Sequence, residues 1–167
     1  ASSAPSAPEE NTASRTLFAM DTVMSLQLSG PEAEEALEVA VAELNRLDRL
    51  LDRNEPESDV SRLNAHAGDG AAVEVDPSTA ELLALCLTCC ESSGGAFDCT
   101  IAPVMDAWGF GGAAESYRVP SQDVLSSLLP LVDSAGLEVD LQENTARLAQ
   151  AGMEVDLGGI AKGYAAD

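Results

Sequence analysis

The sequence predicts an α+β fold in which a mainly antiparallel sheet packs with helices. Two stretches, residues 16–29 and 137–157, alternate apolar and polar side chains through much of their length, as half-buried strands do. Residues 37–51 instead repeat leucine, alanine and valine at steps of three and four, as on one face of an amphipathic helix. The two element types do not alternate regularly, which argues against a doubly wound parallel sheet. A chain of 167 residues suits one domain with a sizeable core.

Local signals place the remaining elements. Helix starts are expected where a residue can cap or begin a helix: Pro31, Ser58, Asp76 with Pro77, and Ser121. The Gly94-Gly95 pair is expected to end the third helix, and residues 71–75 to form a short strand before it. The hairpin within residues 137–157 should turn near Glu143-Asn144 and be followed by a further strand.

The two ends of the chain differ in character. Residues 1–14 are mostly Ala, Ser, Pro and acid, which predicts a flexible leader, with the folded portion in residues 15–167. The leader lacks the basic and apolar stretches of a signal peptide, so either the protein is cytoplasmic or a targeting segment has been removed. The last residues resemble the opening turns of a helix, where a domain boundary does not normally fall. We therefore expect the chain to be truncated before a C-terminal part.

The charge of the chain restricts its partners. Its 29 acidic and 8 basic residues give a formal net charge of -21, and such a field repels a polyphosphate backbone. Nucleic acid is therefore not an expected partner. An anionic small ligand would need a metal ion, a helix N-terminus or a placed cation beside it. No apolar run reaches the roughly 18 residues of a bilayer-spanning helix, so none is expected here.

The cysteines and the single histidine give no strong sign of a site. Cys86, Cys89 and Cys90 lie in a predicted helix, and Cys99 follows it. Without a second Cys or His pair to complete a zinc site, buried structural cysteines are the expectation. His66 is expected to be a surface or helix-end residue.

Three segments carry glycine, aspartate and aromatic residues that core periodicity does not explain. Residues 93–110 have no clear period and contain the Gly94-Gly95 pair, Asp98 and the only tryptophan. Residues 155–167 carry a strand into a Gly-Gly turn and a helix, and they hold Lys162, the only lysine. Residues 18–22 lie within the first predicted strand. The alternatives are a core-packing loop, an ordinary strand-to-helix turn and a plain strand.

In this order, the three segments resemble the ApbE family of FAD-dependent flavin transferases. Residues 20–22, Met-Asp-Thr, match the family's Met-Gly-Thr motif in an early strand, with Asp21 in place of the usual glycine. Residues 47–64 match an acidic-Arg-Leu pattern and a Ser-rich stretch that closes on Leu-Asn.

The other two motifs of the resemblance are longer. Residues 95–98, Pro103 and residues 108–110 match the Gly-Ala-Phe-Asp, Pro and Trp-Gly-Phe signature. Residues 156–167 match Asp-Leu-Gly-Gly-Ile-Ala-Lys-Gly-Tyr-Ala-x-Asp. The resemblance extends over roughly residues 16–167, and it implies an ApbE-like fold.

The resemblance also implies a binding site. Its expected FAD contacts are Met20, Asn54, Ala96, Phe97, Asp98, Asp156 and Lys162. The backbone carbonyl of Gly159 would help to hold a magnesium ion, Mg2+, which together with Lys162 would neutralise the pyrophosphate of FAD. Relatives carry tyrosine as an alternative at the position of Asn54, which is associated with whether FAD is kept or hydrolysed. The catalytic residues are unknown and are expected in the C-terminal part beyond these residues.

The function implied by the resemblance is that of an enzyme, an FAD:protein FMN transferase. Such an enzyme moves FMN from FAD to a threonine hydroxyl of a target flavoprotein and releases AMP. The expected acceptor is a flavoprotein of an envelope redox complex, and the expected location is the periplasmic side of the bacterial inner membrane, through a lipid anchor. The alternatives are a periplasmic FAD-binding lipoprotein, an FAD pyrophosphatase, or an inactive fragment that lacks the C-terminal metal ligands.

Overall fold

A computed structural model describes residues 11–110 and 117–167 of the chain. The helices are α1 (Ala33–Leu51), α2 (Asp59–Ala65), α3 (Pro77–Ser92), α4 (Ala102–Trp108), α5 (Gln122–Leu128) and α6 (Ala161–Ala166). The strands are β1 (Thr12–Ala19), β2 (Thr22–Ser29), β3 (Val73–Glu74), β4 (Leu137–Asp140) and β5 (Thr145–Leu148). All pairings between these strands are antiparallel, so the predicted α+β class is confirmed. The chain divides into two compact units, Ala1–Asp48 and Arg49–Asp167.

In the first unit, the segment predicted as one strand is a hairpin. Strands β1 and β2 pair from Thr12 opposite Ser29 to Ala19 opposite Thr22. The turn consists of Met20 and Asp21, whose φ angles of 51° and 54° reverse the chain. The single-strand prediction for residues 16–29 was therefore wrong. Two-residue turns with positive φ at both positions usually carry Asn-Gly or Asp-Gly, so Met-Asp gives a weak signal.

Strand β1 also begins earlier than the expected leader allows. Residues 12–14, assigned to the leader, pair with β2, and Ala13 is only 3% exposed. Ala13 packs with Ala33 and Leu37 of α1, and the burial of these apolar groups stabilises the first residues of β1. Residues 1–10 lie outside the described residues.

Helix α1 has the predicted amphipathic character. Its buried face includes Leu37, Leu44 and Leu47, spaced by seven and three residues. The helix starts at Ala33, two residues after the predicted start at Pro31. The α1 face toward the hairpin therefore forms the core of the first unit, together with Leu26 and Leu28 of β2.

The second unit contains a three-stranded sheet in the order β3-β5-β4. The predicted hairpin is confirmed as β4 and β5, with Asn144 at a φ of 51° in the turn. The further strand expected after it does not form. Residues 153–157 make only an isolated bridge, between Glu154 and Ile101, although Met153, Val155 and Leu157 alternate as buried residues. The period of two is therefore present although no strand among the described residues pairs with this segment.

The predicted caps are confirmed where side chains accept backbone hydrogen bonds. Ser58 accepts from Ser61, Asp76 from Ser78 and Ser121 from Val124. Gly94 and Gly95 follow α3 with φ angles of 62° and 81°, as expected for a glycine stop. Helix α4 was missed, because its seven residues are too few to show a period.

The cysteine prediction holds for three of the four thiols, and the histidine prediction holds as well. Cys86, Cys90 and Cys99 are buried, Cys89 is half-buried, and all four cysteines are unbridged. The hydrogen bond with Cys86 and the burial of the thiol raise the pKa of Cys99, so this thiol stays protonated. His66 is exposed at the end of α2, with its Nδ1 2.8 Å from the Arg62 carbonyl oxygen. None of the described helices is both long and apolar enough to span a bilayer.

Candidate flavin site

A cavity of about 430 Å³ lies in the second unit, between the turn after α3, the start of α4 and the loop before α6. Its lining residues are Gly95, Ala96, Phe97, Asp98, Ile101, Met105, Val132, Asp156, Gly158 and Gly159. Five of the residues singled out from the sequence therefore meet in one place: Ala96, Phe97, Asp98, Asp156 and Gly159. They come from two motifs that are far apart in the chain.

The Asp98 carboxylate is held by hydrogen bonds inside the protein. Its Oδ1 accepts from the backbone N–H of Thr100 at 2.8 Å and from the hydroxyl of Thr100 at 2.6 Å. Its Oδ2 accepts from the backbone N–H of Ser134 at 3.0 Å, and the thiol of Cys90 lies 3.9 Å away. Asp98 thus joins the loop after α3 to the segment before β4, besides lining the cavity.

Asp156 is held equally firmly. Its Oδ2 lies 2.8 Å from the Nε of Arg53, and its Oδ1 accepts from the backbone N–H of Gly158 at 2.8 Å. Its own backbone N–H donates to the carbonyl of Cys99 at 2.8 Å. A Cβ at position 158 would lie 3.0 Å from Asp156 Oδ1, so glycine lets the turn close over the carboxylate.

Arg53 is a site residue that the sequence did not point to. Its guanidinium contacts Asp106 at 2.5 Å, Asp156 at 2.8 Å and Glu154 at 3.8 Å, and its side chain is 10% exposed. Burial alone would lower the pKa of Arg53. The hydrogen bond to Asp106 and the charges of the neighbouring carboxylates outweigh this effect, so the pKa is raised above its ordinary value. Burial and the charge of Asp106 raise the pKa of Glu154, against the effect of Arg53. The only sequence signal is the position of Arg53 directly before Asn54 in a recognised motif.

Phe97 and Gly159 line both this cavity and a second one of about 440 Å³. The second cavity is lined by Cys89, Ser92, Ser93, Phe97, Gly159 and Ile160. A Cβ at position 159 would lie 3.3 Å from Cε2 of Phe97, so a larger residue would push against the ring. The Phe97 backbone N–H donates to the Ser93 hydroxyl at 3.0 Å, which holds the loop in place.

Three predicted contacts are not among the lining residues of the first cavity: Met20, Asn54 and Lys162. Met20 belongs to the first unit, where its backbone N–H donates to Asp48 Oδ1 at 2.7 Å. Asn54 is exposed, and its backbone N–H donates to Asp52 Oδ1 at 2.8 Å. Lys162 is exposed in α6, and no acid in residues 11–110 or 117–167 pairs with it.

The donor set for a metal is small in this part of the protein. Within the described ranges, no group of three or more His, Cys, Asp or Glu side chains is arranged to hold a metal ion. Gly159 lines both cavities, and its carbonyl oxygen is the one ligand that the motif resemblance assigns here.

Curated relatives share this part of the chain. A protein of Treponema pallidum named FAD:protein FMN transferase is 40% identical over 142 residues, which covers 81% of this chain and 38% of that protein. A protein of Haemophilus influenzae with the same name is 26% identical over 145 residues, covering 86% of this chain and 41% of the relative. The chain thus spans about two fifths of the length of these relatives.

Solved structures share the fold. The ApbE protein of Thermotoga maritima superposes with a TM-score of 0.84 at 28% identity, over 93% of this chain and 50% of that one. The flavinyl transferase ApbE of Pseudomonas stutzeri, in its apo form, gives 0.82 at 29% identity, over 93% and 52%. A family model described as the ApbE family matches residues 20–167, which is most of the chain. The chain therefore belongs to the ApbE family.

Proposed function

We propose that the full-length protein is a magnesium-dependent FAD:protein FMN transferase. It would move FMN from FAD to a threonine hydroxyl of a target flavoprotein and release AMP. The observation that carries this proposal is the cavity of about 430 Å³ in which Ala96, Phe97, Asp98, Asp156 and Gly159 meet. The names of the curated relatives support the transfer of FMN from FAD to a protein.

The lining of the cavity suits one part of a flavin dinucleotide. Apolar side chains, among them Phe97, Ile101 and Met105, form most of the wall, and two fixed carboxylates supply acceptors. A mostly apolar pocket with few placed polar groups, of roughly 300 to 1,000 Å³, is typical of small-molecule sites. Since FAD is larger than a drug-sized ligand, we expect the neighbouring cavity across Phe97 and Gly159 to take another part of it.

The charge of the site explains why a cation is needed. Asp98 and Asp156 line the cavity, and Arg53 already forms ion pairs with Asp106 and Asp156. Lys162, exposed and close in sequence to Gly159, is the cation we assign to the pyrophosphate. A magnesium ion prefers about six oxygen ligands, so Gly159 would provide one and FAD, water or other parts of the protein the rest. When bound, the ion would neutralise phosphate charge and favour phosphoryl transfer.

The residues of this chain contribute binding and orientation. Asp98 and Asp156 are fixed by hydrogen bonds before a ligand arrives, so little further ordering is needed when one binds. Their carboxylate oxygens can accept from N–H or O–H groups of the flavin or its ribityl chain. Positioning of this kind lowers the barrier of a transfer reaction, because the reacting groups are already aligned.

The test uses the full-length protein, FAD, Mg2+ and an acceptor peptide that contains the target threonine. We expect flavin fluorescence that stays on the peptide after denaturation, with one AMP released for each flavin attached. A peptide with valine in place of that threonine is the control. AMP and free FMN without labelled peptide would contradict transfer and indicate a pyrophosphatase. Retained FAD without AMP would contradict it and indicate a binding protein.

We also propose that the protein acts on the periplasmic side of the bacterial inner membrane, held there by a lipid anchor, on a flavoprotein of an envelope redox complex. The small-residue composition of residues 1–14 and the family resemblance support this location. Membrane fractionation of the native host tests it, since a protein found only in the cytoplasmic fraction would contradict the proposal.

A further inference from the structure

Arg53 connects three segments of the second unit through one planar side chain. Its NH2 lies 2.5 Å from Oδ1 of Asp106 in α4, while its Nε lies 2.8 Å from Oδ2 of Asp156 in the loop before α6. Oε2 of Glu154 lies 3.8 Å from NH1. A buried guanidinium is stable only when its donors are paired, so these contacts fix where the three segments lie.

The backbone at Arg53 is held as well. The hydroxyl of Ser61, in α2, donates to the Arg53 carbonyl oxygen at 2.7 Å. Asn54, the next residue, has its own backbone N–H tied to Asp52 at 2.8 Å. The segment that carries Asn54 is therefore anchored to α2 on one side and to Asp156 on the other.

We propose that Arg53 is a positioning residue for FAD binding, which sets the Asp156 carboxylate at the cavity wall relative to the Asn54 segment. The inference rests on the proposed function, because it assumes that Asp156 and Asn54 face FAD. Arg53 itself contacts Asp156 and is not among the residues that line the cavity.

The geometry requires arginine and not simply a positive charge. Arg53 donates to Asp106 and Asp156 from different nitrogens of one rigid fork. A lysine ammonium is a compact point charge on a flexible stem and cannot reproduce that fork. Arg53→Lys should therefore keep the charge and lose the alignment of Asp156.

The test measures FAD affinity in the full-length protein by quenching of flavin fluorescence. We expect Arg53→Lys to weaken FAD binding about tenfold, in line with the loss of one charge-assisted hydrogen bond. Arg147→Lys is the matched control, since Arg147 pairs with Glu138 on the exposed side of the β4–β5 hairpin. It should change the affinity less than about twofold, within the small effect of a surface ion pair.

A double variant separates positioning from general destabilisation. If Arg53 acts through Asp156, Arg53→Lys should cost little further affinity in an Asp156→Asn background. Additive losses, or an Arg53→Lys affinity within twofold of the wild type, would overturn the inference. Wild-type protein that binds no FAD would instead overturn the proposed function.

Thermal unfolding shows whether each variant is folded. Should Arg53→Lys fail to fold, Asp106→Asn loosens the guanidinium without removing it. A clear loss of FAD affinity in that variant, without a large fall in Tm, supports positioning, and an unchanged affinity overturns it.

Discussion

The side-chain amide of Asn64 forms two hydrogen bonds with the backbone of Val155. Its Nδ2 donates to the Val155 carbonyl oxygen at 3.1 Å, and the Val155 N–H donates to its Oδ1 at 2.8 Å. Val155 is fully buried, so water cannot form hydrogen bonds with these two backbone groups. The amide of Asn64 thus pairs with the backbone of Val155 as a neighbouring strand would. Val155 directly precedes Asp156.

Asn64→Ala should destabilise the protein by about 2 to 4 kcal/mol, because it leaves a buried donor and a buried acceptor unpaired. Denaturant unfolding measures the change. Gln142→Ala, which removes an exposed amide from the β4–β5 turn, is the control and should change the stability by less than about 0.5 kcal/mol. Equal effects of the two substitutions would contradict the bridging role of Asn64.

Asp98→Asn should cost stability by about 1 to 3 kcal/mol, because either orientation of the amide sets an N–H against a donor of Thr100 or Ser134. Denaturant titration gives the stability, and FAD titration of the folded variant gives the affinity. Glu143→Ala, at an exposed acid, is the control. A loss of stability with unchanged FAD affinity would assign Asp98 a purely structural role.

Asp21→Gly should stabilise the protein by about 0.5 kcal/mol. Asp21 has a φ of 54°, which glycine adopts without the clash of a Cβ, although glycine loses more entropy on folding. Asp123→Gly, in α5, is the opposite control and should cost about 1 kcal/mol, because glycine is a poor helix former. A loss of stability in Asp21→Gly as large as that in Asp123→Gly would contradict the positive φ of Asp21 in this turn.

Glu154→Gln should change how stability depends on pH. Burial and Asp106 raise the pKa of Glu154 above its ordinary 4.5, so the folded protein holds this proton more tightly than the unfolded chain. The stabilisation of the folded protein by this proton is complete below pH 4.5 and is lost as the pH rises through the pKa of Glu154 in the folded state. We expect the variant to be more stable than the wild type near neutral pH, with the difference vanishing in acid.

Glu138→Gln is the control for this titration, with the opposite sign. The hydrogen bond with Arg147 lowers the pKa of Glu138, so its contribution is present above pH 4.5 and is lost as the pH falls through the folded pKa. Denaturant midpoints measured across the acid range decide both cases. A Glu154→Gln variant that is less stable than the wild type near neutral pH would contradict the assignment.

Lys162→Ala should weaken FAD binding about tenfold at low salt, because it removes an exposed cation that we assign to the pyrophosphate. The salt dependence of binding should fall at the same time, since one charge contact is lost. Arg147→Ala removes the same unit of charge from the β4–β5 hairpin and should leave the affinity almost unchanged. Unchanged affinity of Lys162→Ala at low salt would contradict its assigned role.

Local features of the fold could be predicted from the sequence. Ser58, Asp76 and Ser121 each cap a helix by accepting from a backbone N–H two or three residues ahead, so the nearby sequence contains all that is needed. The same holds for the glycine stop after α3, where positive φ excludes most other residues. The period of residues 153–157 was also real, but a period does not say which partner covers the backbone.

By itself, the sequence determined the α+β class, the caps, the family motifs and five of the residues that line one cavity. Only the tertiary structure decided that Asn64 stands in for a strand beside Val155 and that Arg53 joins Asp106 to Asp156. The physical reason is that a buried amide or guanidinium must find its partners in space, and these partners lie 91 and 53 positions away along the chain for Asn64–Val155 and Arg53–Asp106. No local pattern records such a pairing.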